Sequence, residues 1–142
     1  MKFNINQKDF QQALNYCQGV IEKRSTLPIL SNILMNAEKS HLTLTATDLD
    51  LIFIHRIENV EVVEEGKTTT TSSTMYDIVR KLSTGKKINL ILTDANKLHL
   101  ESEKSIFNLN CMSSTEFPLT DENFNENQFS IKSKQLLKLL NK

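Results

Sequence analysis

"MKFNINQKDFQQALNYCQGVI", residues 1–21, changes its hydrophobic period part-way along. Met1, Phe3 and Ile5 alternate with polar residues, the two-residue period of a half-buried strand. Phe10, Leu14, Cys17 and Ile21 then recur at steps of four, three and four, which is one face of a helix. The spacing predicts a strand running straight into a helix over 7–21, with Asn6 as its N-cap.

The helix must stop before Pro28, because the residue ahead of a proline disfavours helical backbone. "PILSNILMNAE" (28–38), "HLTLTATD" (41–48) and "LIFIHRIENVEVV" (51–63) then read as three strands. The same order begins again with "GKTTTTSS" (66–73), rich in β-branched threonine. Met75, Ile78, Val79 and Leu82 share a helical face, which Ser73 or Thr74 can cap, with Asp77 in the first turn and Gly85 as the stop. "INLILTD", "KLHLESE" and "IFNLNCM" supply three more strands. The pattern is an α+β chain in which a β-α-β-β-β unit is written twice.

A third copy opens near the end. "FNINQKDFQQAL" (3–14) aligns with "FSIKSKQLLKLL" (129–140), matching Phe3 to Phe129, Ile5 to Ile131, Lys8 to Lys134 and Leu14 to Leu140. The intervening acidic, asparagine-rich stretch reads as a linker. The expected organisation is a first domain over 1–118, a linker over 119–128, and the first strand and helix of a truncated second domain over 129–142. Ending on an uncovered "LLKLL", the chain is expected to derive from a longer parent.

With 142 residues and ordinary apolar content there is room for one real core. No apolar run approaches the ~20 residues of a membrane-spanning helix, and the first residues lack the apolar centre of a signal peptide. Cys17 and Cys111 fit no metal spacing and read as reduced thiols, so a cytoplasmic protein is expected. His41, His55 and His99 form no ligand or triad pattern, and the isolated glycines form no phosphate-binding loop, so no cofactor is expected. Asp48 and Asp50, in "TATDLDL", leave two readings: a metal or acid–base pair, which needs further converging ligands, or a turn in which aspartate accepts local backbone hydrogen bonds.

Net charge is zero, but it is segregated. Residues 7–24 carry +1, residues 74–87 carry +3 and residues 130–142 carry +4, leaving −8 on the strands and loops. Basic helices on an acidic sheet framework would present a positive surface that attracts phosphate without reading base sequence, provided the helices share one side. The competing reading is a solvated lysine-bearing face on each helix.

"RSTLPILSNILM" (24–35), "LTLTATDLDL" (42–51), "MYDIVRKL" (75–82), the "MKF" start and the "FP" at 117–118 together resemble the bacterial replicative sliding clamp, the β subunit of DNA polymerase III. The resemblance implies a DNA-clamp fold with helices on one side of antiparallel sheets. In that family each chain carries three such domains, and two chains close head to tail into a ring around duplex DNA. The implied role is a non-catalytic processivity factor that tethers the polymerase. Its implied partners are duplex DNA, a second clamp chain, a clamp loader and polymerases. The family's partner-peptide pocket lies between the second and third domains, so this chain is not expected to bind such peptides.

Carried over position by position, the resemblance assigns DNA contact to Arg24, Arg80, Ser73, Lys134 and Lys138. It assigns the joint between chains to Phe107, Leu109, Thr74, Ile78 and Lys104. Arg24 and Arg80 each have a local alternative, a surface charge for the first and an ion pair with Asp77 for the second. Ser73 and Thr74 depart from the basic residues common at this point in relatives, as Ile106 does at the joint. Two rival functions remain: a stand-alone α+β interaction module, and a metal-dependent enzyme using Asp48 and Asp50.

Overall fold

The computed structural model describes residues 1–21, 26–93, 96–119 and 130–141. Strand β1 (Lys2–Asn6) passes without a loop into helix α1 (Gln7–Gln18). Asn6 caps the helix as expected, its side-chain oxygen accepting the Lys8 N–H at 2.9 Å. The helix ends at Gly19, short of Ile21, in a tightened turn where the Val20 N–H reaches the Cys17 carbonyl. Phe10, Ala13, Leu14 and Cys17 are fully buried, so the face read from the sequence is the core face.

After α1 the expected first strand is shorter than its apolar run. Pro28–Ser31 forms a 3₁₀ turn with proline in its first turn, and β2 (Asn32–Glu38) starts after it. Proline has no N–H for a ladder and its fixed φ suits a helical first turn, which is why the segment coils. Strands β3 (His41–Thr47) and β4 (Ile52–Ile57) follow as antiparallel neighbours. The long run at 51–63 does not stay in one strand. It breaks at Glu58–Val60, with Asn59 at φ 58°, and resumes as β5 (Glu61–Glu64) on a different partner, β1.

The second unit comprises β6 (Gly66–Thr71), α2 (Ser72–Val79), β7 (Lys87–Thr93), β8 (Lys97–Ser102) and β9 (Ser105–Met112). Here the capping expectation needs correcting. Thr71 occupies the cap position without a side-chain bond, and Ser73 and Thr74 sit inside the first turn. Asp77 lies beyond that turn, and the helix ends at Val79, well before Gly85, which serves the following loop at φ 80°. A last helix, α3 (Ser133–Leu140), lies in the opening of the third copy. The strand expected ahead of it is not formed over 130–132. A strand needs a neighbour to satisfy its backbone groups, and the described residues offer none there.

All pairings are antiparallel, and the order is β4-β3-β2-β6-β9-β8-β7-β1-β5. Each unit lends its leading strand to the other: β1 pairs with β7, and β6 pairs with β2. The two halves are stitched at β6–β9 by the register pairs Thr69↔Met112 and Thr70↔Cys111. There the Thr69 and Thr70 hydroxyls donate to the Met112 and Asn110 carbonyls at 3.1 and 3.0 Å. One core joins both units, with Phe3, Phe10, Leu14, Met35 and Leu44 against Met75, Val79, Leu90 and Leu100. Each such side chain contributes roughly 1.5–3 kcal/mol through its burial.

At the far side of the core, Met1 packs on the start of β6 and its ammonium meets the Glu64 carboxylate at 2.9 Å. A Cβ on Gly66 would stand 2.8 Å from the Met1 Cβ, closer than packed carbons allow. Gly66→Ala should therefore destabilise the domain by about 1–3 kcal/mol, lowering Tm by several degrees in a thermal melt. Burial pushes the Cys17 thiol up to about 12. At mildly alkaline pH Cys17 should resist a thiol reagent in the folded chain and react on addition of urea, at a rate that tracks unfolding.

Candidate nucleic-acid interface

The exchanged strands bring α1 and α2 side by side and antiparallel. At one end Gln7, buried, donates from Nε2 to the Val79 carbonyl at 2.8 Å, satisfying a carbonyl in the last turn of α2. At the other end the Gln18 amide donates to Ser72 Oγ at 2.7 Å. These two clasps set the helices in one plane, with their apolar faces on the shared core and their polar faces outward.

The outward side is a shallow groove made of two adjoining depressions. Lys8, Gln11, Gln12 and Asn15 line the first, with Tyr76 and Thr84 opposite. Asn15, Gln18, Ser73, Tyr76, Asp77 and Arg80 line the second. Ser73 and Thr74 are exposed, so hydroxyls stand at the mouth of α2. Arg80, at the helix C-terminus, pairs through Nε with Asp77 Oδ1 at 3.0 Å. Its guanidinium also stands 5.9 Å from the centre of the Tyr76 ring.

The positive charge counted along residues 74–87 is largely committed. Lys86 pairs with Glu103 at 3.2 Å and Lys87 with Glu61 at 3.1 Å, so both lysines bind the acidic sheet. Among the described residues Lys8 and Lys81 make no ion pair. The groove is thus mildly cationic and rich in neutral amides. Gln11, Asn15, Gln18 and Tyr76 escaped the sequence reading because uncharged donors leave no mark in a charge count; for Gln11, Asn15 and Gln18 the helical spacing along the flank of the Phe10–Leu14 face was the available signal.

Of the other expected contacts, Arg24 lies outside the described residues. Lys134 and Lys138 are exposed on α3, one turn apart. Phe107 and Leu109 point to the same face of β9, as alternation requires: Leu109 is buried and Phe107 half-buried on the core, against which Ile78 also packs. β9 pairs with β8 from Ser105 to Asn110, while β6 reaches only Cys111 and Met112. Among the described residues the opposite edge of Ser105–Asn108 has no strand partner, so that edge is open to another chain. Lys104 is exposed in the turn that starts this edge, Thr74 is exposed on α2, and Ile106 is 58% exposed on the strand.

Asp48 shapes a turn. Its Oδ1 accepts the Asp50 and Leu51 N–H groups at 3.1 and 2.7 Å, and Thr47 Oγ1 accepts the Leu49 N–H while donating to the Leu51 carbonyl. These bonds hold Leu49 at φ 83°, a conformation unfavourable for a side-chain-bearing residue. Among the described residues no three His, Cys, Asp or Glu side chains are grouped to hold a metal ion. Among them, too, no helix is long and apolar enough to cross a membrane.

Comparison with known proteins agrees with this fold. Residues 1–121 match the family described as DNA polymerase III beta subunit, N-terminal domain. Over the whole chain the sequence is 34% identical to the beta sliding clamp of Caulobacter vibrioides, of which it covers 38%. It is 31% identical to the beta sliding clamp of Pseudomonas aeruginosa, again covering 38% of that protein. The solved Caulobacter crescentus pol III beta superimposes on all of the chain with a TM-score of 0.93, at 34% identity. The chain spans 38% of the length of these relatives.

The sheet-bound lysines have a consequence for pH. The Lys87 hydrogen bond lowers the Glu61 carboxyl below the usual glutamate range, and hydrogen bonds from Ser83 and Lys86 do the same for Glu103. Groups lowered on folding contribute stability above the unfolded pKa, and that contribution is lost as pH falls through the folded pKa. Glu103→Gln should therefore shrink the fall in Tm between about pH 6 and about pH 3, measured by melts across the series.

Proposed function

Since the chain belongs to the DNA polymerase III beta subunit family, we propose that it forms the first domain of a clamp that encircles duplex DNA and tethers a replicative polymerase. The observation that carries this reading is the antiparallel pair α1–α2, clasped at both ends and presenting one polar, mildly cationic groove with the sheet behind it. Such a surface suits a backbone that is held without fixed register: phosphate contacts position a protein but carry no base sequence. In this reading Arg80, Ser73, Lys134 and Lys138 face the duplex, and Arg24 joins them.

The open edge of β9 is where a second clamp chain adds a strand. Phe107 and Leu109 lie on that strand, and in this reading Ile78, Thr74 and Lys104 join them at the joint between chains. Retention on DNA then depends on ring closure, and the clamp acts by raising the polymerase's effective concentration at the primer end. The role is non-catalytic and needs no cofactor, and the remaining partners are a clamp loader and polymerases in the cytoplasm. Residues 1–118 act as the clamp domain, with 119–128 as a linker and 129–142 as the opening of the next domain.

A chimaera tests the reading. Residues 1–118 would replace the first domain of the Caulobacter clamp, and the product would be loaded on a nicked circular duplex. The chimaera should remain on the circle through gel filtration and leave once the DNA is linearised. Equal loss from circular and linear DNA would sink the encircling role. Adding Phe107→Asp should abolish retention by opening the joint.

A further inference from the structure

The α1–α2 groove carries few formal charges: Lys8 and Arg80 against Asp77. Asp77 therefore cancels half of the groove's positive charge, and it does so at one place. Its Oδ1 lies 3.0 Å from Arg80 Nε, and the Tyr76 ring lies 5.9 Å from the centre of the same guanidinium. All three residues fall within one helical turn, so the arrangement is built into α2 and needs no other element. The Arg80 and Asp77 side chains are 49% and 55% exposed, so a phosphate can reach the guanidinium from solvent.

We propose that Asp77, with Tyr76, is a positioning residue that restrains Arg80 and keeps its grip on a duplex phosphate weak. The inference rests on the reading that this face meets DNA. Arginine has five N–H donors, and Asp77 engages the one on Nε. The terminal nitrogens remain for a phosphate, but the guanidinium that offers them is already neutralised and oriented by its pair with Asp77. The guanidinium, held by Asp77 and by the ring, does not extend freely along the backbone. A sequence-independent holder that must move along DNA needs contacts that form and break easily. A neutralised arginine meets that need, where an unpaired one would add a full phosphate contact and its counterion release.

The test titrates the isotope-labelled 142-residue chain with a short duplex of mixed sequence across a salt series, following amide shifts. The wild-type chain should shift at Gln11, Asn15, Ser73 and Tyr76. Asp77→Asn should bind about tenfold more tightly at low salt, with the slope of log K against log salt steeper by about 0.9, one further phosphate contact. Asp77→Ala should act in the same direction, with unchanged strand amides reporting an intact fold. In an Arg80→Ala background Asp77→Asn should have no effect, because the carboxylate acts through the arginine.

Groove shifts with unchanged affinity and slope in Asp77→Asn would overturn the restraint while leaving the DNA-facing surface standing. A gain that persists in Arg80→Ala would overturn it too, showing direct repulsion of DNA by Asp77. Absence of groove shifts in the wild-type chain would remove the DNA-facing reading itself, and the restraint with it.

Discussion

The exchange of leading strands between the two units is the constraint on which everything else rests. β1 completes the sheet of the second unit and β6 that of the first, so neither half can bury its core face without the other. Because each helix follows directly from an exchanged strand, both helices are delivered to the same side of the core in opposite directions. Their Gln7–Val79 and Gln18–Ser72 bonds then follow from that placement. A simple end-to-end stacking of two β-α-β-β-β units would leave the helices without a common plane. The exchange also leaves one side of β9 open over Ser105–Asn108, because β6 pairs with β9 only through Thr69 and Thr70 and gives way to α2 after Thr71.

Electrostatics in this domain divide between holding the fold and shaping the outward face. Lys86 and Lys87 lie at the start of β7 and turn to Glu103 and Glu61, tying the end of the α2–β7 connection to the turn after β8 and to β5. What remains in the groove is a set of amides and hydroxyls with an arginine already paired and one lysine, Lys8, that makes no ion pair. Exposed pairs of this kind contribute little to stability, but they decide how much unspent charge a passing polyanion meets. A surface built largely of neutral donors exchanges its bonds with water readily, which suits contact without fixed register.

The turn at Thr47–Leu51 shows how one of a suggestive pair of acids takes a structural role. Asp48 is occupied by two backbone N–H groups, and its geometry obliges Leu49 to take a positive φ. Its Oδ1 closes the connection between β3 and β4. That connection in turn places β4 alongside β3 and gives α1 a surface to pack on.

How much of this is legible in the sequence depends on the range of the interaction concerned. The face carrying Phe10, Leu14 and Cys17, the Asn6 cap and the twofold unit are local or periodic features, and periodicity along a chain reports which side of an element is buried. The option of an Asp77–Arg80 pair was equally plain, since residues three apart on a helix are neighbours. Other features were hidden: the coil at Pro28–Ser31, the break at Glu58–Val60 that sends β5 to a new partner, and the commitment of Lys86 and Lys87 to sheet acids. Each depends on which strand lies next to which, a choice between segments far apart in sequence. Alternation tells a strand which face to bury but not whom to pair with. The sequence by itself determined the elements and their inward faces; only the tertiary structure decided the strand exchange, and with it the single helical face on which the proposed function turns.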